Sequence, residues 1–116
     1  MDTKSTVWAL HGRLVADGVQ CRVDIETFPF QIGRRADLNL TLRSGAVSGV
    51  HAVINERDNV LWIRDLNSKN GTFVNGAAIA GSTSLNDGDE IRTGSVVLRF
   101  RMTSPTGSTA TWKGER

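Results

Sequence analysis

Cysteine is nearly absent: Cys21 is the one such residue in 116, so no intrachain disulfide can form. A lone thiol fits a reducing compartment, and a cytoplasmic location is expected. On a strand, Cys21 reads as a small buried hydrophobe. No apolar run approaches the roughly 20 residues that span a bilayer. The N-terminus has no basic stretch followed by an apolar one, so neither a membrane segment nor a secretory signal is expected. Histidine is scarce too, with two residues. His11 and His51 stand far apart, and with one cysteine they form no metal-ligand cluster. Asp87, Asp89 and Glu90 around Gly88 lack the remaining ligand spacing of a calcium loop. No metal and no cofactor are expected. The 14 Lys and Arg are interleaved with 12 Asp and Glu rather than gathered into a basic stripe, so nucleic acid is not an expected partner. No window of about 11 residues carries a helical period.

What the chain does have is strand and turn. Asp17-Gly18, Asp58-Asn59, Asn70-Gly71, Asn75-Gly76, Gly81, Asp87-Gly88 and Thr93-Gly94 punctuate short runs rich in Val, Ile, Leu, Thr and aromatics. This spacing predicts an all-β sandwich or barrel. The predicted strands are Ser5–Arg13, Val19–Thr27, Phe30–Gly33, Leu38–Leu40, His51–Glu56, Val60–Asp65, Thr72–Val74, Ala77–Ile79, Glu90–Arg92 and Val96–Met102. Alternation places Val96, Leu98 and Phe100 on one face and Val97, Arg99 and Arg101 on the other. Leu61 and Ile63 are expected inward and Arg64 outward. Trp8 and Trp62 read as strand packing residues, with Trp62 partly exposed. Residues 1–102 read as one domain and 103–116 as a polar tail or the start of a linker.

The chemistry lies between the strands. Gly33-Arg34, Ser48-Gly49-Val50-His51 and Asp65 to Gly76 together hold a guanidinium, a hydroxyl, an amide side chain and glycine turns. A phosphothreonine carries nearly two negative charges and three acceptor oxygens. An arginine fork pairs with two of those oxygens at once. A serine hydroxyl and the free amides of a glycine-containing loop serve the others. An asparagine amide both donates and accepts, and so suits a peptide backbone. Ser48 and His51 formally offer a nucleophile and a base. No third group orients them, and no Gly-x-Ser-x-Gly elbow is present, so no enzymatic activity is expected.

These motifs, with Leu85-Asn86-Asp87-Gly88-Asp89-Glu90-Ile91 after them, resemble a bacterial-type forkhead-associated (FHA) domain over roughly Thr6 to Arg101. The resemblance implies an FHA-type β-sandwich of about 11 strands with binding loops at one end. It implies a phosphothreonine-peptide-binding module that recruits partners in Ser/Thr kinase signalling. By position, Arg34 and Ser48 contact the phosphate, Lys69 and Gly49 lie in the phosphate-contacting loops, and Asn70 holds the peptide backbone. Gly33, His51, Gly71, Thr72, Asn75 and Gly76 form the structural part of the motif, with His51 bracing the loops from beneath.

The chain departs from the family in three places. Gly49 replaces a side-chain donor that often follows the serine. Lys69 stands where threonine or arginine is frequent. Ala46 replaces an arginine that, in some members, reads an acidic ligand residue, leaving Arg35 and Arg43 as the nearest alternative cations. The competing reading is a phosphate-independent interaction or oligomerisation module, including a homodimer, within a larger bacterial signalling protein. The polar tail suits a linker to a fused signalling domain.

Overall fold

A computed structural model describes residues 6–13 and 20–103. The predicted strand ends at Ser5 and Val19 and the tail 104–116 lie outside the described residues. Eleven strands follow one another: β1 (Val7–Arg13), β2 (Gln20–Ile25), β3 (Phe30–Gly33), β4 (Leu40–Thr41), β5 (Ala52–Arg57), β6 (Val60–Asp65), β7 (Thr72–Val74), β8 (Ala77–Ala78), β9 (Ser82–Ser84), β10 (Glu90–Thr93) and β11 (Val96–Thr103). No helix occurs among the described residues.

The strands form a six-stranded sheet, β2-β1-β11-β10-β7-β8, and a five-stranded sheet, β4-β3-β5-β6-β9. Their inner faces meet in one core. Leu10, Ile91, Leu98 and Phe100 come from the first sheet; Ile32, Ile54, Leu61 and Ile63 come from the second, and all are essentially inaccessible. The expected alternation holds: Leu98 and Phe100 point in while Val97, Arg99 and Arg101 point out, and Arg64 is exposed beside buried Ile63. Trp8 packs edge-on against Phe28 at 6.0 Å. Trp62 is half-buried beneath the Arg57 guanidinium at 5.2 Å.

Turn chemistry fixes the register. Asn75 and Gly76 both have positive φ, 52° and 85°, and join β7 to β8 with Val74 opposite Ala77, as a two-residue hairpin turn of the mirror-image type requires. Asp58 and Asn59 do the same between β5 and β6, with φ of 55° and 65°.

The structure corrects several strand assignments. The fourth strand is Leu40–Thr41 rather than Leu38–Leu40, because it pairs in parallel with β3 through Ile32–Leu40 and Gly33–Thr41. The predicted strand from His51 starts one residue later, at Ala52, and Ile79 falls outside β8. Conversely, β10 and β11 each run one residue further, to Thr93 and Thr103. The strand Ser82–Ser84 was not predicted at all. It lacks apolar alternation and exists by pairing its backbone with β6.

Candidate functional site

Three loops meet at one end of the sandwich: 34–39 after β3, 42–51 between β4 and β5, and 66–71 between β6 and β7. Gly33 begins the convergence. The Arg34 and Arg35 amides donate to the carbonyls of Ser48 (3.0 Å) and Gly49 (3.1 Å), so the first two loops run side by side. A Cβ at position 33 would lie 2.3 Å from the Gly49 carbonyl oxygen and 2.8 Å from Leu38 Cδ1. Only glycine permits that approach. Gly33→Ala is therefore expected to destabilise the fold by about 1–3 kcal/mol and to weaken ligand binding, because the shift it forces lies between Arg34 and Gly49. Urea unfolding and ligand titration of the same variant check both effects.

His51 ties the second loop to the third. Its ring is fully buried. Nδ1 accepts the Ser48 amide at 3.0 Å, which makes Nδ1 the unprotonated nitrogen, so Nε2 donates to the Gly71 carbonyl at 2.8 Å. The His51 backbone adds two more bonds, from its amide to Ile32 O and from Leu66 N to its carbonyl. Because both ring nitrogens are engaged with backbone, the ring holds no hydrogen bond to the Ser48 hydroxyl.

Asp65 shapes the third loop, a role that sequence reasoning did not give it. Its Oδ1 accepts the hydroxyls of Ser68 (2.5 Å) and Thr72 (2.7 Å), and its Oδ2 accepts the Ser68 amide (3.0 Å). Ser68 Oγ in turn accepts the Gly71 amide at 2.9 Å. The loop is wound about one carboxylate. The only sequence signal was the Asp65-x-x-Ser68 spacing, in which a carboxylate can bond its own backbone three residues on. Partial burial pushes the Asp65 pKa up, but the hydroxyls of Ser68 and Thr72, the Ser68 amide and the nearby His51 ring outweigh it. The net result lies below the usual carboxylate value of 3.8.

A depressed folded pKa means that Asp65 contributes its full stability above the unfolded value and loses it as pH falls through the folded one. Asp65→Asn turns an acceptor toward two hydroxyl donors and an amide into a partial donor. We expect it to cost about 1–3 kcal/mol near neutral pH. That gap to the parent protein narrows as pH drops below the unfolded value. Urea midpoints measured near pH 7 and about pH 2.5 check the convergence.

Above this frame sits a recess of about 230 Å³ whose lining includes Arg34, Ala46, Val47, Ser48, Lys69 and Asn70. All five predicted ligand-contacting residues, Arg34, Ser48, Gly49, Lys69 and Asn70, line it. Arg34 is exposed, and its Nε donates to the Val47 carbonyl at 3.1 Å. That bond fixes the guanidinium plane and leaves the paired Nη donors at the fork free of any described ion pair. Ser48 Oγ accepts the Lys69 amide at 2.9 Å, which leaves its own proton to donate outward. Asn70 Nδ2 donates to the Ala46 carbonyl at 2.8 Å, leaving Oδ1 and the second amide proton. The loop carrying Ala46 is buttressed from the other sheet, where Ser44 Oγ lies 3.2 Å from Ser95 Oγ.

Of the alternative cations, Arg35 is committed to Asp37 in an exposed pair at 2.6 Å. Among the described residues no carboxylate lines the recess. No group of three or more His, Cys, Asp or Glu side chains among the described residues is placed to hold a metal ion.

A two-sheet sandwich that offers a cationic, donor-rich recess from its end loops has the build of a recognition module for an anionic group on a polypeptide. The sequence comparisons agree: the FHA domain family model matches residues 30–94, and the chain belongs to the FHA family. It is 39% identical over 98 residues to the transcriptional regulatory protein EmbR of Mycobacterium tuberculosis H37Rv, covering 75% of this chain and 25% of the relative. It is 30% identical over 80 residues to the FHA domain-containing protein FhaB of Mycolicibacterium smegmatis, covering 69% and 52%. The chain thus spans a quarter to a half of the curated relatives it matches. Among solved structures it resembles M. tuberculosis EmbR in complex with a low-affinity phosphopeptide. That match has a TM-score of 0.74 at 34% identity and covers 86% of this chain and 25% of EmbR. It also resembles a structure described for phosphothreonine-dependent FHA domain interactions, with a TM-score of 0.73 at 31% identity, covering 86% and 99%.

Proposed function

We propose that this chain reads phosphothreonine in protein partners and recruits them in Ser/Thr kinase signalling, without catalysing a reaction. The recess carries the reading: it joins two cations, a hydroxyl proton and a carboxamide, with no carboxylate among its described lining. The Arg34 fork takes two phosphate oxygens. The Ser48 hydroxyl donates to the third, with the Lys69 ammonium and the Gly49 amide beside it. Asn70 offers its remaining donor and acceptor to the ligand's main chain.

Phosphothreonine is favoured over phosphoserine by the apolar part of the lining, the partly exposed Ala46 side chain. Burying one γ-methyl there contributes roughly 0.8 kcal/mol, so a larger preference needs conformational restriction of the ligand as well. The non-catalytic reading rests on His51, whose ring nitrogens serve the Ser48 amide and the Gly71 carbonyl and leave Ser48 Oγ without a base.

Fluorescence anisotropy with a degenerate peptide library, synthesised in threonine, phosphothreonine and phosphoserine forms, tests the reading. The phosphothreonine form is expected to bind, the phosphoserine form more weakly, and the unphosphorylated form not measurably. Equal binding of the first and last would overturn it.

A further inference from the structure

The outer face of the six-stranded sheet carries a second concentration of cations. Cross-strand register sets His11 between Arg22 and Arg99, and Ala9 between Asp24 and Arg101. These residues enclose a trough of about 400 Å³, floored by Val7 and Ala9 and walled by His11, Arg22, Arg99 and Arg101. Ala9 is 2% exposed although it faces outward; its small side chain sinks beneath the arginine stems and creates the hollow.

Among the described residues no carboxylate lines the trough. Arg22 and Arg101 spend their Nε donors on Asp24 (2.8 Å) and Asp87 (3.0 Å), and Arg99 spends one Nη donor on the Gly88 carbonyl (2.7 Å). An arginine has five donors, so most of each fork remains. The two ion pairs are about half exposed, and pairs of that kind are weak, so either arginine can exchange its partner for a carboxylate of a docked chain.

We infer that this trough docks an extended, acidic segment of a protein partner with Asp or Glu at alternate positions. Arg99 and Arg101 lie two residues apart on one face of β11, a separation of about 7 Å, which is also the i, i+2 spacing of an extended chain. Val7, 43% exposed, gives such a chain an apolar contact, and the small side chain of Ala9 leaves room for it. Asp24 and Asp87 pair with Arg22 and Arg101, and Glu90 lies opposite Arg99, so the cations are interrupted by carboxylates, a pattern that suits single carboxylates set at intervals better than a continuous polyanion. A neighbouring hollow shares His11 and Arg99 and reaches Ser95, whose hydroxyl meets Ser44 of the recess loop. One partner can therefore occupy both places, although the trough acts without the recess.

The test uses the whole 116-residue chain and an unphosphorylated peptide of about ten residues alternating Glu and Ser, followed by amide chemical shifts. Saturable shifts are expected at Ala9, His11, Arg22, Arg99 and Arg101. They persist in Arg34→Ala and weaken about tenfold in Arg99→Glu or the milder Arg99→Gln. A peptide of the same composition with its glutamates in consecutive pairs binds several-fold more weakly. Shifts centred on Arg34, Ser48 and Asn70, no saturable shifts, or equal binding of the two peptides each overturn the inference. Tighter binding of a short DNA duplex to the same residues overturns it in favour of nucleic acid. Shifts that track protein concentration alone overturn it in favour of a second copy.

Discussion

Arg34→Ala is expected to cost about 2–5 kcal/mol of phosphothreonine-peptide binding, the range for removing one partner of a desolvated charge pair. That corresponds to roughly 30-fold to several thousand-fold in Kd. An ordinary surface ion pair is worth about 0–1 kcal/mol. The larger figure applies because the ligand group carries nearly two charges and because the arginine is preset. Its Nε bond to Val47 O at 3.1 Å orients the guanidinium before the ligand arrives, so less side-chain entropy is lost on binding.

Lys69, the other recess cation, is exposed and none of the described ion pairs includes it. Lys69→Ala should cost less, because an ammonium on a flexible stem lacks the fork. Arg34→Lys falls between the two, keeping charge but losing both the bidentate geometry and the bond to Val47. Arg34 is exposed, so its removal should move the unfolding midpoint little, within about 0.5 kcal/mol. Anisotropy titrations of the three variants against one phosphopeptide, at fixed salt, check the order. Undiminished affinity in Arg34→Ala would remove the phosphate role.

The sequence disclosed the fold unevenly, for physical reasons. Strands that bury one face announce themselves through a period of two, as in Val96–Phe100 and Leu61–Ile63, and turns announce themselves where backbone sterics demand Asn or Gly, as at Asn75-Gly76. Ser82-Thr83-Ser84 has neither signal, because an edge strand held by backbone pairing needs no side-chain pattern. The sheet order, with β11 between β1 and β10, is a long-range outcome that local sequence does not encode.

The candidate site was legible in the residues that line the recess, whose types suit a phosphate, and less so in their supports. The Asn70–Ala46 bond and the Lys69–Ser48 bond depend on how loops fold over one another. The loop around Asp65 is a local arrangement, yet Asp, Ser and Thr at those spacings are too common in turns to single out. Convergence of the three segments rested on the resemblance and not on any local signal.

The second large effect falls on His51. In the proposed reading Arg34 acts at the ligand, whereas His51 joins two of the loops that line the recess, so its loss should damage both stability and binding. His51→Ala strands the Ser48 amide and the Gly71 carbonyl and empties the space of a fully buried ring. Each unsatisfied buried group costs about 1–3 kcal/mol, and truncating a buried ring to alanine costs about 3–5 kcal/mol. The two overlap, since the cavity can admit a water to the stranded groups, and a net loss of about 3–5 kcal/mol is expected.

His51→Asn separates the parts. Its Oδ1 stands near the place of Nδ1 and can still accept the Ser48 amide, while its Nδ2 falls short of Gly71. It should recover part of the stability and hold the 42–51 loop, leaving the 66–71 loop less well fixed. Binding should then fail most where Lys69 and Asn70 contribute. Urea unfolding gives the first quantity and anisotropy, at urea-free conditions where each variant is folded, gives the second. A folded His51→Ala protein with parental affinity would show that the loops keep their positions without the ring, and the link between the two loops would have to be sought in the Lys69–Ser48 and Asn70–Ala46 bonds instead.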